Sequence, residues 1–227
     1  MSNLRDAIVR MALRRPYLYL LVTLVISIVL MEVLVEIAEH TFIKPALQQL
    51  ELQFIAYVQQ FVTPPLTAEV MLVTASGSST FYLLASALVC CWYLYSRQKD
   101  RLYLYLVCLC GGGILNQVLK RIFERVRPDI FPVIAESGYS FPSGHAMGAI
   151  CFYGILAYFA GLGLRSKPLR WGLMAAAGIY ILLIGLSRVY LGVHYPTDIL
   201  AGYAAGATWL FFCITPVSYT HLTLPTT

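Results

Sequence analysis

The sequence predicts an all-α fold, a polytopic bundle of six transmembrane helices with an amphipathic helical segment on its outer face, and three observations carry that prediction. Of the 227 residues, 59% are hydrophobic and only 12% are charged, against about a quarter charged in a soluble domain. The apolar residues gather in six runs near the length of about 20 residues that crosses hydrocarbon as a helix. None of the runs alternates with period two, which indicates helices rather than the strands of a membrane barrel. The chain has no room for a separate soluble catalytic domain, so any chemistry must be built from loops and helix ends of the bundle.

The first run, about 17–37, ends in Glu32, Glu36 and Glu39 without a small-residue cleavage site and reads as a retained anchor. Glu32 and Glu36 would be costly against lipid and are expected to face the bundle or the interface. In the mixed segment 38–77, the stretch from Pro45 to Val62 carries Leu47, Leu50, Phe54, Ile55, Val58, Phe61 and Val62 on one greasy face until Pro64-Pro65 stops it. A helix lying on the bundle or in the membrane interface is expected there, with a lid over a lipid headgroup as the sharper alternative. The second and third runs are 78–96 and 102–118, and Gly111-Gly112-Gly113 allows close packing or a bend in the third. The remaining runs are 145–163, 171–191 and 199–214. The six cysteines lie inside these runs without metal-site neighbours and read as small apolar fillers. From Thr215 the chain turns into a polar, Thr- and Pro-containing string, so 215–227 is expected to be a non-native tail, a fusion scar or misread frame, and His221 is set aside with it. Residues 1–214 then form a single domain.

Orientation follows from the basic residues between spans. Arg5, Arg10, Arg14, Arg15, Arg97, Lys99, Arg101, Arg165, Lys167 and Arg170 are expected on the cytoplasmic side, with the N-terminus. Lys44, Lys120, Arg121, Arg125, Arg127 and Arg188 fall outside. Four of these crowd one loop against the positive-inside trend, which calls for an anion rather than topology as the reason. The net charge of +5 does not imply nucleic acid, because the basic residues are scattered between apolar runs rather than gathered on one solvated face.

Three segments at that outer face concentrate nearly every ionisable residue that topology does not explain: Lys120 to Pro128, Phe141 to His145, and Ser187 to Asp198. Lys120 and Arg127 are seven apart, on one face if the third helix continues to Pro128, and with Arg188 they suit a tetrahedral oxyanion. Ser143 and Gly144 open the fourth span, where free backbone N–H groups and a hydroxyl make an anion cradle. His194 and Asp198 are four apart at the start of the sixth helix, so the carboxylate can fix the tautomer and leave the other ring nitrogen as a nucleophile. His145, beside the cations and without an acidic neighbour, is placed to protonate a leaving oxygen. Asn116 lies one turn before Lys120 as a supporting partner, and Tyr139, Tyr190 and Tyr195 read as an interfacial aromatic belt.

Lys-x6-Arg-Pro, Pro-Ser-Gly-His and Ser-Arg-x5-His-x3-Asp, in this order, resemble the three-part signature of the type 2 phosphatidic acid phosphatase superfamily, in its bacterial membrane branch of phosphatidylglycerophosphatase B and undecaprenyl-diphosphate phosphatases. The resemblance implies a phosphohistidine on His194, with Asp198 orienting it and His145 acting first as acid and then as base. It also implies Lys120, Arg127, Ser143, Gly144 and Arg188 as phosphate ligands, a catalytic core over about 102–214, and no metal or other cofactor. The expected partners are a lipid phosphate or diphosphate and membrane lipids, met at the periplasmic or extracellular face of the cell membrane. Three alternatives stay open: a lipid phosphotransferase, a metal site made of His145, His194 and Asp198, and a non-catalytic lipid-binding protein. The particular lipid and the oligomeric state are not written in the sequence.

Overall fold

In the computed structural model, which describes residues 2–129 and 132–223, every regular element is a helix. α1 (Ser2–Ile43) contains an apolar stretch of 22 residues, Leu21–Phe42. α2 (Pro45–Gln59) is the expected outer amphipathic helix. α3 (Pro64–Ala75) and α4 (Ser79–Tyr95) are together long and apolar enough for a span, bent by 49° at the break between them. α4 matches the expected run 78–96, and helix also precedes it from Pro64. Pro64-Pro65, read as a stop, opens α3 instead, because a proline at the first helical position gives up an N–H that has no partner there anyway. The Ser78 hydroxyl accepts from the N–H of Phe81 and starts α4.

α5 (Lys99–Phe123) crosses next, and α6 (Gly144–Ala149), a π-helical turn (Ile150–Gly154) and α7 (Ile155–Gly163) form the fourth span. α8 (Lys167–Tyr190) and α9 (Pro196–Thr223) complete the bundle. The chain is thus a multi-pass membrane protein. α9 stays helical through Thr223; the last four residues of the expected tail, 224–227, lie outside the described residues.

Packing brings one set of helix ends together. α9 is the central element, lying against α1, α5, α6 and the π turn. Gly202 and Gly206, one turn apart on α9, admit α6 at close range: a Cβ on Gly202 would lie 2.7 Å from the Ser143 carbonyl, and one on Gly206 3.0 Å from that of Met147. The core toward the other end is aromatic, with Tyr82, Tyr93, Tyr105, Phe152 and Phe159 around Cys108, Cys151 and Cys213. All six cysteines are free, and Trp209 donates to the Cys108 carbonyl at 2.9 Å across the surface that Gly111 and Gly112 leave open.

Glu32 and Glu36 are exposed on α1, on the side away from the buried Leu34 and Ala38, so of the two expected settings the bundle interior is ruled out. One expectation about burial changes. Tyr190 and Tyr195 are buried rather than part of a belt. The Tyr190 hydroxyl pairs with Thr67 at 2.9 Å and ties α3 to the end of α8.

Candidate active site

The site forms where α5 and α8 end and α6 and α9 begin. α5 stops at Phe123, and Glu124 takes a left-handed conformation with φ 46°. The helix therefore does not reach Arg127, and the one-face argument for Lys120 and Arg127 is corrected. What brings the two cations together is the loop that follows, for both donate to the carbonyl of Tyr139.

Arg127 is fixed by further bonds to the carbonyls of Gly138 (3.0 Å) and Val193 (2.9 Å), and its Nη1 lies 3.1 Å from Nε2 of His194. A guanidinium can only donate, so Nε2 carries the lone pair and Nδ1 the proton. Nδ1 lies 3.3 Å from Oδ2 of Asp198 and 3.2 Å from the Ser140 hydroxyl. Asp198 accepts also from the Ser140 hydroxyl, the N–H of Tyr195 (2.9 Å) and Arg125 (2.5 Å). The carboxylate is fully buried, and four donors satisfy it.

His194 is itself 1% exposed. Burial pushes its imidazole down to about 3, against the pull of Asp198 toward the charged form. At physiological pH the ring is neutral, as a nucleophile must be. The unfolded chain takes up this proton near the ordinary value of 6.5 and the folded one only near 3, so acidification across that window favours unfolding. In detergent melts, His194→Gln is expected to lose less thermal stability between pH 7 and pH 4 than the unchanged protein; equal losses would remove this residue from the acid response.

Arg188 is 2% exposed, donates to the Thr74 hydroxyl at 2.7 Å and forms an ion pair with Glu136. Glu136 also meets Arg127 at 3.2 Å. A loop carboxylate thus bridges two of the three expected phosphate cations. The Nε of Arg188 is buried and has no hydrogen-bond partner among the described residues, a donor left over for an anion.

Ser143 is buried and caps α6 through the N–H of Ala146 at 3.4 Å, so its hydroxyl has a structural partner already. Gly144 and His145 line a groove, and a Cβ on Gly144 would press on the Asn116 side chain at 3.1 Å. Asn116 supports the turn before α6 through the Pro142 carbonyl at 3.3 Å, rather than Lys120. The groove has a volume of about 810 Å³ and begins at Lys120, Arg127 and His145. It then runs between α4 and α5 past Gly113, Ser86 and Ala87 to Leu106, Cys90 and Cys110. Leu106 lies fourteen positions before Lys120 on α5, about 21 Å along the helix. Its mouth is cationic and its body apolar. Among the described residues, no three His, Cys, Asp or Glu side chains gather as a metal ion would require.

The structure therefore brings His145, His194, Asp198, Lys120, Arg127, Arg188, Ser143 and Gly144 to one end of the bundle. Sequence reasoning counted Arg125 among the loop cations that call for an anion, which its pairing with the carboxylates of Glu51 and Asp198 corrects, and gave no role to Glu51, Ser140 or Glu136. A signal existed for Glu51: it lies four residues before Ile55, on the face of α2 that the apolar pattern turns inward.

The family described as PAP2 superfamily matches residues 101–221. Phosphatidylglycerophosphatase B of Bacillus subtilis (strain 168) is 40% identical over 156 residues, 67% of this chain and 76% of its own length. The undecaprenyl-diphosphatase of Sulfolobus acidocaldarius is 32% identical over 111 residues, 48% of each chain. The crystal structure of a transmembrane PAP2 type phosphatidylglycerolphosphate phosphatase from Bacillus subtilis superposes with a TM-score of 0.79 at 31% identity, covering 85% of this chain and 96% of that one.

Proposed function

We propose, from the premise that this chain belongs to the PAP2 superfamily, that it hydrolyses the phosphomonoester or diphosphate of a membrane lipid through a phosphohistidine on His194. One observation carries the reading. His194 holds its proton on Nδ1, against Asp198, and turns the Nε2 lone pair toward Arg127, at the mouth of a groove whose body lies in the bilayer.

In the first half-reaction Nε2 attacks phosphorus and the bond from phosphorus to the lipid oxygen breaks. Lys120, Arg127 and Arg188 take the charge on the phosphoryl oxygens, together with the backbone at Ser143 and Gly144. His145 gives its proton to the departing oxygen. In the second half-reaction water attacks the phosphohistidine, His145 takes the water proton, and the N–P bond breaks to release inorganic phosphate. The donor set at the mouth is cationic, which suits a phosphoryl group held without a metal ion. With the N-terminus cytoplasmic, the site opens on the periplasmic or extracellular face and the lipid tail enters laterally between α4 and α5.

Phosphate release from phosphatidylglycerophosphate, phosphatidic acid and undecaprenyl diphosphate tests this directly. Release from none of them sinks the reading, and label passing into a second lipid instead of free phosphate replaces hydrolysis with transfer. Full activity in chelator is expected, and its loss would support the metal alternative. The groove has its own test. Gly113 lines it, and a Cβ there has nothing within 4 Å. Gly113→Leu is expected to raise KM for a long-chain lipid phosphate about tenfold, ~1.4 kcal/mol, while turnover of a water-soluble phosphate ester stays unchanged. An equal effect on both substrates would remove the groove from lipid binding.

A further inference from the structure

α2 buries its charge beside its inward apolar residue Ile55 and leaves Gln48, Gln49 and Gln53 exposed together with part of its apolar surface. Leu50, Phe54 and Tyr57 are 60%, 47% and 56% exposed. Glu51, the sole Asp, Glu, Lys or Arg of Pro45–Gln59, is 4% exposed and points into the protein. A helix at a membrane surface ordinarily gives its charge to water. Burying a carboxylate costs several kcal/mol unless partners replace the water, and here they do. Oε2 of Glu51 meets Arg125 at 2.6 Å, and Oε1 accepts from the N–H of Thr197 at 3.0 Å and from its hydroxyl at 2.6 Å.

Arg125 carries the connection onward. It is 8% exposed, stacks 3.8 Å above the Tyr195 ring, and donates to the Thr197 hydroxyl at 2.9 Å and to Oδ1 of Asp198 at 2.5 Å. The bonds from Ser140, Tyr195 and His194 all fall on Oδ2. Arg125 thus holds the opposite oxygen and fixes the carboxylate plane against Nδ1 of His194. We propose that Glu51 and Arg125 are positioning residues for the nucleophile: Arg125 orients Asp198, and Glu51 offsets the Arg125 charge so that the field of Asp198 at His194 is not cancelled. The proposal rests on the reading of His194 as the nucleophile. It makes α2 part of the catalytic apparatus rather than a cover over it.

The signs follow from charge. On attack the imidazole becomes cationic, and the Asp198 carboxylate stabilises it. Without Arg125, Asp198 faces Glu51 unshielded, is protonated at higher pH and is free to rotate. Without the Glu51 charge, Arg125 draws on Asp198 alone and the imidazole is a weaker nucleophile. The other charges that act on Asp198, Lys120 from α5 and Arg127 from the loop, stay the same in both variants.

The test measures kcat, KM and the pH profile of the full chain in lipid or detergent, with thermal melts alongside. Arg125→Gln is expected to lower kcat ~100-fold with KM within about twofold. Its acid edge of kcat should rise by about one pH unit. Glu51→Gln, nearly isosteric, is expected to lower kcat about five- to tenfold without change in KM. The double variant, which removes a charge pair instead of one member, should recover about tenfold over Arg125→Gln. Lower melting temperatures with kcat and acid edge unchanged would overturn the proposal and leave a structural tie of α2 to α9. Where Arg125→Gln is not recovered folded, Glu51→Gln and Arg125→Lys decide, and unchanged kcat in both is equally fatal. His194→Ala is run in parallel: retained turnover there refutes the nucleophile itself, a failure distinct from that of the relay.

Discussion

Alanine at His194 is expected to reduce lipid phosphate turnover ~10⁴-fold or more, the size of effect seen when a covalent nucleophile is removed. Among the described residues, no other side chain at the site is free to take its place. His145, the second imidazole, comes from another helix and is needed on the leaving oxygen, and the carboxylates are engaged, Asp198 with four donors and Glu136 with Arg127 and Arg188. The loss should fall on kcat, because the cations that hold the phosphoryl group remain. Trapping of labelled phosphate on the protein after an acid-free quench is the sharper measurement: label is expected on the unchanged enzyme and absent from His194→Ala. Label on both, or ordinary turnover in the variant, would place the covalent step elsewhere or remove it.

Arg188→Lys is expected to cost ~10²- to 10³-fold in kcat, the range for losing a preorganised donor to a developing oxyanion. The substitution keeps the charge and removes the fork. In this buried corner one Arg188 nitrogen is occupied by Thr74, another faces Glu136, and Nε is free for a phosphoryl oxygen. A lysine ammonium carries its three donors on a single atom and cannot reach the separate positions that the three guanidinium nitrogens occupy. Arg188→Ala would remove the donor to Thr74 and leave Glu136 to Arg127 alone, a structural change beyond the phosphate contact, which is why the lysine variant is the informative one. Unchanged kcat in Arg188→Lys, with a normal melting temperature, would move the oxyanion contact to Lys120 and Arg127 alone.

The membrane spans were legible because lipid demands long apolar runs, and no loop of this chain imitates one. Their limits were less so. Pro64-Pro65 reads equally as the end of one helix and the first turn of the next, and only the packing of α3 on α8 selects the second. The left-handed Glu124 that ends α5 carries no glycine or asparagine to announce it. At the site, the histidines, Asp198 and the three cations were legible because each sits within a turn of a helix break and has a chemical role to fill. Arg125, Glu51, Ser140 and Glu136 were not, because their roles are set by contacts across the chain. Glu51 and Thr197 are 146 positions apart, and no local pattern encodes such a pairing.

The π-helical turn at Ile150–Gly154 divides the fourth span into two rotational phases. Its extra residue lets Ala146 and Met147 face α9 while Phe152, Ile155 and Phe159 keep their places in the aromatic core. Each half keeps its own register, and the span tolerates no change of length between them. Deleting one residue there would restore a continuous α-helix and swing His145 by about 100° about the helix axis relative to the lower part of the span, taking its imidazole out of the groove with every charged residue of the protein still in its sequence.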